Sequence, residues 1–390
     1  MHGNKLENQK ELIVFHSQKK IGIINEDGTR ERYLELDIPH EAGISCTSGF
    51  PEDGRSLILT SIESGKVWEG DGYTRVWRYD VISGTLTELL TKNRLATTMF
   101  LAGFLPEGRV LVSFAIDGEE RLFSADMDGD NQCEITKKGE GYTYGTTLSP
   151  SGDKLAFHVT GNGTYSIFVT NPDGSGRICV ATNPDYLFFG PSWSPDGEWL
   201  AFVGCLHKQD PGHSWSDIFV CRPDGSELKA VTSGQSHWFA SAFGTSETRG
   251  NGSNMISWSD DGMYIYYTKV KPGSVTAWEY QPDRPDTDHF NRDYKPENAI
   301  GGSSIFLLNP FTNEEISLTQ YAEYNWDFRV RANKNKNNIL FNRAKIGFPC
   351  EVWIMDKDGG NQRILTKGFQ GMGADHAYFT GLFLNSMGEK

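Results

Sequence analysis

The chain has 390 residues and a formal net charge of −14 at pH 7, because 51 Asp and Glu outnumber 37 Lys and Arg. A nucleic acid or an anionic membrane would require a cluster of Lys and Arg, and none is visible. No stretch approaches the roughly 20 apolar residues of a membrane span. The first residues, MHGNKLENQKEL, are polar and lack the apolar region of a signal peptide, so we expect a cytoplasmic protein; a secreted one trimmed of its signal would read the same way.

The six cysteines are scattered and form no CxxC pair. Two of them, Cys179 and Cys221, fall at core-like positions of predicted strands. We therefore expect buried free thiols rather than disulfides or a metal site.

In chain order, residues 11–37 predict three strands: ELIVFHS, KIGIINEDG and RERYLELD. From there on, a strand, a tight turn and a second strand recur. The clearest copy is SWSPDGEWLAF (192–202), in which Pro195, Asp196 and Gly197 are typical turn residues. The other copies are GFPEDGRSLIL (49–59), GFLPEGRVLV (103–112), TLSPSGDKLAF (147–157), SWSDDGMYIYY (257–267) and ANKNKNNILF (332–341).

A second motif alternates with the first and predicts a hairpin turn in each repeat. Its copies surround Asp27, Asp128, Asp173, Asp224 and Asp358. Together the two motifs give four strands per repeat at a period of about 45 residues, which is typical of a β-propeller blade. An open pair of β-sheets is the alternative, but sandwiches do not repeat at this period.

Counting repeats predicts an all-β fold, a seven-bladed β-propeller with four-stranded antiparallel blades in a single domain, 1–390. The amino-terminal segment supplies three strands of one blade, and residues 375–390 supply the fourth. The terminal strands would thus share one blade and close the ring, which removes an unpaired sheet edge.

Long connections at one end of this ring are rich in Trp, Tyr, His and Arg. In a propeller the connections into the first strand of each blade, and those between its second and third strands, surround the mouth of the central channel. Aromatic rings stack on sugar rings, and arginine binds a uronate carboxylate. The predicted substrate-binding residues are Tyr144, Trp215, Trp238, Arg249, Trp326 and Arg331. The alternative is that these side chains plug the channel.

The SPDG-type repeat resembles the TolB-type or PD40 propeller repeat. Among enzymes, the chain is most similar to the oligogalacturonate lyases, with a comparable insertion before GGSSIFLLNPFTN (301–313). That family supplies metal ligands from a His-Pro-His-Pro tract, where this chain has Asp327-Phe328-Arg329-Val330, and from a histidine that falls at Met255. The family's metal site therefore does not transfer. The remaining metal candidates for Mn²⁺ or Ca²⁺ are His237, His376 and Asp375, with His213 and Asp327 as further choices.

The resemblance implies a lyase that cleaves uronate-containing oligosaccharides by β-elimination. This reaction needs a positive charge on the carboxylate, a base for the C5 proton and an acid for the leaving oxygen. The candidate catalytic residues are His213, His237, Tyr324, Arg329, His376 and Tyr378. Two alternatives stay open: a glycoside hydrolase using a pair of carboxylates such as Asp210, Asp217, Asp288, Asp327 or Asp375, and a non-catalytic binding propeller. A serine peptidase is disfavoured because the chain has no GxSxG motif.

Overall fold

The computed structural model describes residues 10–46, 54–65, 72–161, 163–206, 214–281, 292–320, 325–334 and 336–383. These ranges consist of β-strands and turns, with short 3₁₀ helices at Pro106–Gly108 and Pro296–Asn298. None of the helices in them is long and apolar enough to cross a membrane. The all-β prediction is confirmed.

The strands follow one another along the chain. The first half of the chain contains β1 (Glu11–Ser17), β2 (Lys20–Asn25), β3 (Arg32–Tyr33), β4 (Gly43–Cys46), β5 (Ser56–Ser64), β6 (Tyr73–Asp80), β7 (Leu86–Leu89), β8 (Met99–Phe104), β9 (Arg109–Ile116), β10 (Glu119–Asp126), β11 (Cys133–Glu134), β12 (Tyr142–Leu148), β13 (Leu155–Gly161), β14 (Thr164–Thr170), β15 (Ile178–Ala181) and β16 (Tyr186–Trp193).

The second half is built in the same way, with two extra hairpins. It contains β17 (Leu200–Leu206), β18 (Trp215–Cys221), β19 (Lys229–Ala230), β20 (His237–Trp238), β21 (Ala240–Phe243), β22 (Gly250–Ser253), β23 (Ser257–Trp258), β24 (Ile265–Val270), β25 (Trp278–Tyr280), β26 (Arg292–Tyr294), β27 (Ser303–Leu308), β28 (Glu315–Ser317), β29 (Asn325–Ala332), β30 (Asn338–Lys345), β31 (Glu351–Asp356), β32 (Arg363–Thr366) and β33 (His376–Phe383).

Three sheets have four strands each, in the orders β3-β2-β1-β33, β4-β5-β6-β7 and β11-β10-β9-β8. Hydrogen bonds join most strands from β12 to β32 into one 17-stranded sheet, and the hairpins β21–β22 and β25–β26 stand apart. Because these strands are joined, the count of seven four-stranded blades stays a prediction. The first and last described strands do share a sheet, with His16 opposite His376.

The repeated turn forms for the reasons that its sequence suggests. In the 192–202 copy, the Ser194 amide donates to the Trp199 carbonyl, and the Trp199 amide donates to Ser194 Oγ, both at 2.9 Å. Asp196 Oδ1 accepts the Ser194 hydroxyl at 2.5 Å, and Gly197 takes the left-handed φ of 74°. These bonds reverse the chain directly into β17.

The core lies between successive sheets. Residues of β1 alternate between its two faces: Val14 packs in a buried cluster with Leu57 of β5, whereas Ile13 and Phe15 pack with Leu340 of β30. The six cysteines are free, and Cys179 is exposed rather than in the core.

The strands that begin successive repeats contact one another. β8 touches β12, β12 touches β16, β16 touches β23, β23 touches β29, and β29 touches β33. We call these six the inner strands, because strands in this position surround the axis of a propeller.

Candidate functional site

Arg329 lies at a β-bulge of inner strand β29 and has a left-handed φ of 53°. The bulges of inner strands β12 and β16 contain Gly145 and Gly190 instead, with φ of 62° and 57°. The left-handed conformation costs a residue with a side chain about 1–2 kcal/mol. An arginine where two other repeats have glycine therefore points to a role for its side chain.

Several contacts fix Arg329 in this conformation. Its backbone amide donates to Asn254 Oδ1 at 2.8 Å, and its Nη1 donates to the Asp375 carbonyl. The guanidinium carbon lies 4.9 Å from the centroid of the Phe243 ring. A Cβ at Gly252, in the hairpin β21–β22, would stand 2.8 Å from Arg329 Nη2, so only glycine allows this close approach. Arg329 is thus buried, and burial lowers its pKa to about 10, which leaves it charged at neutral pH.

Next to Arg329, side chains from β29, β33 and β1 meet. The Arg331 guanidinium carbon lies 4.3 Å from the centroid of the Tyr378 ring, and the Tyr378 hydroxyl lies 3.2 Å from His376 Nδ1. The rings of His376 and His16 stack with centroids 4.7 Å apart. We call this group the Arg–His cluster: His16, Arg329, Arg331, Asp375, His376 and Tyr378.

Burial and the arginine charges keep both imidazoles of the cluster neutral. Burial, then Arg329 and Arg331, lower the pKa of His16 to about 3. Burial, then Arg329, His16 and Arg331, lower the pKa of His376 well below its usual value. In Asp375, burial raises the pKa to about 6, although the Arg329 charge opposes the shift. At neutral pH the cluster therefore combines two guanidinium groups and the largely ionised Asp375 carboxylate with two uncharged imidazoles.

The residues of the Arg–His cluster differ in solvent exposure and therefore in their access to a ligand. Arg329 and His16 are buried, whereas Arg331, His376 and Tyr378 are half-buried. Arg331 is therefore better placed than Arg329 to contact a ligand, and Arg329 is better placed to position Asp375. A guanidinium, a neutral imidazole and a phenol in contact can bind a carboxylate and move a proton near it.

His237, a predicted base and metal ligand, lies inside the protein. Its Nε2 is 2.7 Å from the Asn254 carbonyl and its Nδ1 is 3.1 Å from the Thr268 carbonyl. Burial lowers its pKa to about 4. Such a histidine holds three backbone segments together and does not face a ligand.

Two of the tryptophans predicted to bind substrate lie in the same region of the core. Trp238 and Trp326 are 1% exposed, and their ring centroids are 4.6 Å apart. They form a buried cluster with Phe243 and Phe328, against which the half-buried Trp215 packs. Trp238 and Trp326 thus belong to the core and offer no face to a ligand.

The remaining predicted residues lie elsewhere. The exposed Arg249 places its guanidinium carbon 5.3 Å from the centroid of the Trp278 ring and 5.9 Å from that of Tyr294. Tyr144 lies on another inner strand, β12. His213 and Tyr324 lie outside the described residues.

The proposed metal ligands do not fit a metal ion. Within the described ranges, no group of three or more His, Cys, Asp or Glu side chains is arranged to hold one. Both ring nitrogens of His237 already bond to backbone groups. We therefore derive no chemical step through a metal.

Two of the carboxylates predicted for hydrolysis have structural partners. Asp327 pairs with Arg343 through two hydrogen bonds of 2.6 and 2.9 Å. Asp217 accepts hydrogen bonds from Thr232 Oγ1 and Gln235 Nε2, both at 2.9 Å. Asp210 and Asp288 lie outside the described residues.

Sequence reasoning missed His16 and Glu120. His16 lies near the end of β1 and reaches the cluster only because β1 pairs with β33. Glu120 lies at the start of β10 and comes close to Tyr144 of β12, a strand of another sheet. For His16, the one signal in the sequence was a histidine near the end of the first predicted strand.

No protein-family model matches the sequence, and no curated protein matches it. Among solved structures, a putative TolB from Agrobacterium tumefaciens aligns with a TM-score of 0.45 and 16% identity, over 92% of this chain and 88% of the other. An oligogalacturonate lyase in complex with manganese aligns with a TM-score of 0.53 and 13% identity, over 91% and 85%. The β-propeller domain of the Trilobed protease from Pyrococcus furiosus aligns with a TM-score of 0.53 and 11% identity, over 92% and 95%. The likeness to the last two shows that this chain has the β-propeller fold.

Proposed function

We propose that the protein is a carbohydrate-active lyase that cleaves uronate-containing oligosaccharides by β-elimination at the Arg–His cluster. The observation that carries this proposal is the pair Arg329 and Arg331 beside two imidazoles kept neutral. An anionic sugar would meet positive charge there, next to a group able to accept its proton. The propeller fold of a solved oligogalacturonate lyase is compatible with this activity and does not specify it.

In this mechanism each half-buried side chain of the cluster that can reach a ligand has one role. Arg331 binds the uronate carboxylate and stabilises the negative charge that develops when C5 loses its proton. His376 takes that proton, and the released electron pair forms the C4–C5 double bond. The C4–O bond breaks, and the Tyr378 hydroxyl gives its proton to the leaving oxygen. Arg329 and His16 act as positioning residues.

Substrate binding also changes the pKa of His376, the proposed base. The positive charges of Arg329 and Arg331 contribute to the low pKa of His376. Burial is the larger cause, and a bound carboxylate leaves it unchanged, but the carboxylate offsets the arginine charges and so raises the pKa of the imidazole. The anionic sugar therefore makes His376 a stronger base than it is in the free protein.

The proposal includes a single domain with seven four-stranded blades. Its support is the succession of buried clusters. Four clusters connect β1–β2 with β5–β6, β5–β6 with β8–β9, β9–β10 with β13, and β13–β14 with β17. Three more connect β17–β18 with β24 and β27, then β24 and β27 with β29–β31, and finally β30–β31 with β1–β2. This succession returns to its starting point after seven steps.

The test is incubation with tetragalacturonate while the ultraviolet absorbance of the unsaturated product and the number of reducing ends are both followed. β-Elimination raises both signals, and the variant Arg331→Ala lowers the rate by about 100-fold. New reducing ends without absorbance would indicate hydrolysis and contradict the proposal. Parallel samples with a chelator or with added Mn²⁺ or Ca²⁺ measure any metal requirement.

Binding without catalysis is a second candidate, favoured by the low pKa of both imidazoles. A base with a pKa as low as that of His16 is a poor proton acceptor. If tetragalacturonate binds and remains intact, and Arg331→Ala abolishes binding, the cluster is a receptor site for a uronate.

A further inference from the structure

A second group of polar aromatic side chains begins inner strand β12. The Tyr142 and Tyr144 rings stack with centroids 6.1 Å apart and planes 9° from parallel, and Tyr142 is 37% exposed. Glu120 of β10, which contacts β12, lies close to Tyr144 and Ser113. We call these four residues the Tyr–Glu cluster.

This cluster lies at the same end of the ring as the Arg–His cluster. Tyr142 is the first residue of β12, as His376 is the first residue of β33, and both are inner strands. Since every repeat runs in the same direction, the first residues of inner strands lie at one end. Glu120 comes just after the turn from β9 to β10, and in a propeller that connection lies at this end too.

The electrostatics of the two clusters differ. Burial raises the pKa of Glu120 to about 7, and the two side chains that oppose this shift, Ser113 and Tyr144, are uncharged. A carboxyl group in these surroundings repels a uronate when ionised, yet it can donate to or accept from a hydroxyl group in either state. The exposed face of a tyrosine stack suits the apolar face of a sugar ring.

We propose that the Tyr–Glu cluster is a subsite for an uncharged sugar ring, with Tyr142 stacking on the ring and Glu120 bonding to its hydroxyl groups. The inference rests on the proposed carbohydrate function and adds a specificity: the protein binds neutral sugar residues as well as uronates. The Arg–His cluster would hold the charged residue, and the Tyr–Glu cluster a neutral one.

The test uses cellotetraose and maltotetraose as uncharged probes and tetragalacturonate as the charged one, each titrated into the full chain by calorimetry. Tyr142→Ala should raise the dissociation constant of an uncharged probe about tenfold, whereas Tyr142→Phe, which keeps the ring, should change it less than about twofold. Glu120→Gln should weaken the same probe severalfold. Tyr33→Ala is the control, because Tyr33 is also an exposed tyrosine, 53% accessible, on the outer strand β3.

The outcomes separate this inference from the proposed function. If an uncharged probe binds and Tyr142→Ala weakens it while tetragalacturonate is not cleaved, the subsite stands and the lyase proposal fails. If tetragalacturonate is cleaved but neither uncharged probe binds, or Tyr142→Ala binds them as tightly as Tyr33→Ala does, the subsite is refuted and the lyase proposal stands. Because Tyr142 is exposed, its variants are expected to fold.

Discussion

The regions around His237 and His376 occupy similar positions in their repeats and have opposite environments. Both histidines lie at connections that lead into inner strands, and sequence reasoning assigned them the same candidate roles. In the structure, His237 Nε2 donates to the Asn254 carbonyl and Nδ1 accepts from the Thr268 amide, and the adjacent Trp238 packs against Trp326 in the core. His376 instead lies half-buried between Tyr378 and His16.

The difference arises from the chain segment that comes after each histidine. After His237 the chain forms the extra hairpin β21–β22, which lies against Arg329 through Phe243 and Gly252, and the following Asn254 carbonyl accepts a hydrogen bond from the histidine. After His376 the chain continues directly as β33, and the half-buried ring stacks on His16. The position of a residue within its repeat predicts which end of the ring it occupies, and local insertions in the chain decide whether its side chain is exposed.

The largest expected effect concerns the buried aromatic cluster beside His237. Trp326→Ala removes a buried indole from the cluster with Trp238 and Phe328, and should cost about 3–5 kcal/mol in the free energy of unfolding. Urea unfolding measures the loss, with Phe348→Ala as control because that ring is 53% exposed. Equal losses in both variants would contradict the assignment of Trp326 to the core.

The variant Arg331→Ala tests the proposed contact between Arg331 and the uronate carboxylate. We expect the rate of tetragalacturonate cleavage to fall about 100-fold, since the charge that stabilises the developing anion is lost. Stability should change by less than about 1 kcal/mol because the side chain is half-buried. Arg331→Lys should restore part of the activity, because lysine keeps the charge and loses the paired hydrogen bonds. A full loss of stability in Arg331→Ala would assign this residue to the structure instead.

Exchanging each histidine for glutamine tests both environments directly. His237→Gln should destabilise the protein by about 1–3 kcal/mol, because the buried Asn254 carbonyl loses its donor and the buried Thr268 amide loses its acceptor. His376→Gln should lower the cleavage rate and leave the unfolding midpoint nearly unchanged. The opposite result, with activity lost only in His237→Gln, would reverse the two assignments.

Asp375→Asn tests the electrostatics of the cluster through pH. The pKa of Asp375 is raised from 3.8 to about 6, so the folded protein holds this proton more tightly than the unfolded chain. Stability is therefore lost as the pH rises from about 4 to about 6, and asparagine avoids this loss. The stability gain of the variant should grow across that range and stay level above it. A gain that does not change with pH would contradict the raised pKa.

The smallest expected effect on stability concerns the bulge. Arg329→Gly relieves the left-handed strain, worth about 1–2 kcal/mol, and removes the guanidinium contacts to Asp375 and Phe243, so the changes act in opposite directions. The loss of positive charge should raise the pKa of His376, which an NMR titration can follow. An unchanged His376 titration would show that Arg329 does not act on the imidazole.

The repeat motif predicted the sheet-forming segments, because turn residues such as Pro195, Asp196 and Gly197 act locally. It also predicted that Arg329, Arg331, His376 and Tyr378 would lie on first strands of neighbouring repeats. It did not predict the exposure of Trp238 or Trp326, since an aromatic ring has the same sequence signal in a core and in a binding site.

The amino-acid sequence alone determined the propeller repeat and the end of the ring where polar aromatic residues gather, because both depend on residues close together in the chain. The tertiary structure decided which of those residues meet. The pairing of β1 with β33 places His16 on His376, and the hairpin β21–β22 buries Arg329. The contact between two sheets joins Glu120 to Tyr144. Such contacts join residues distant in sequence, and they depend on packing that no local pattern encodes.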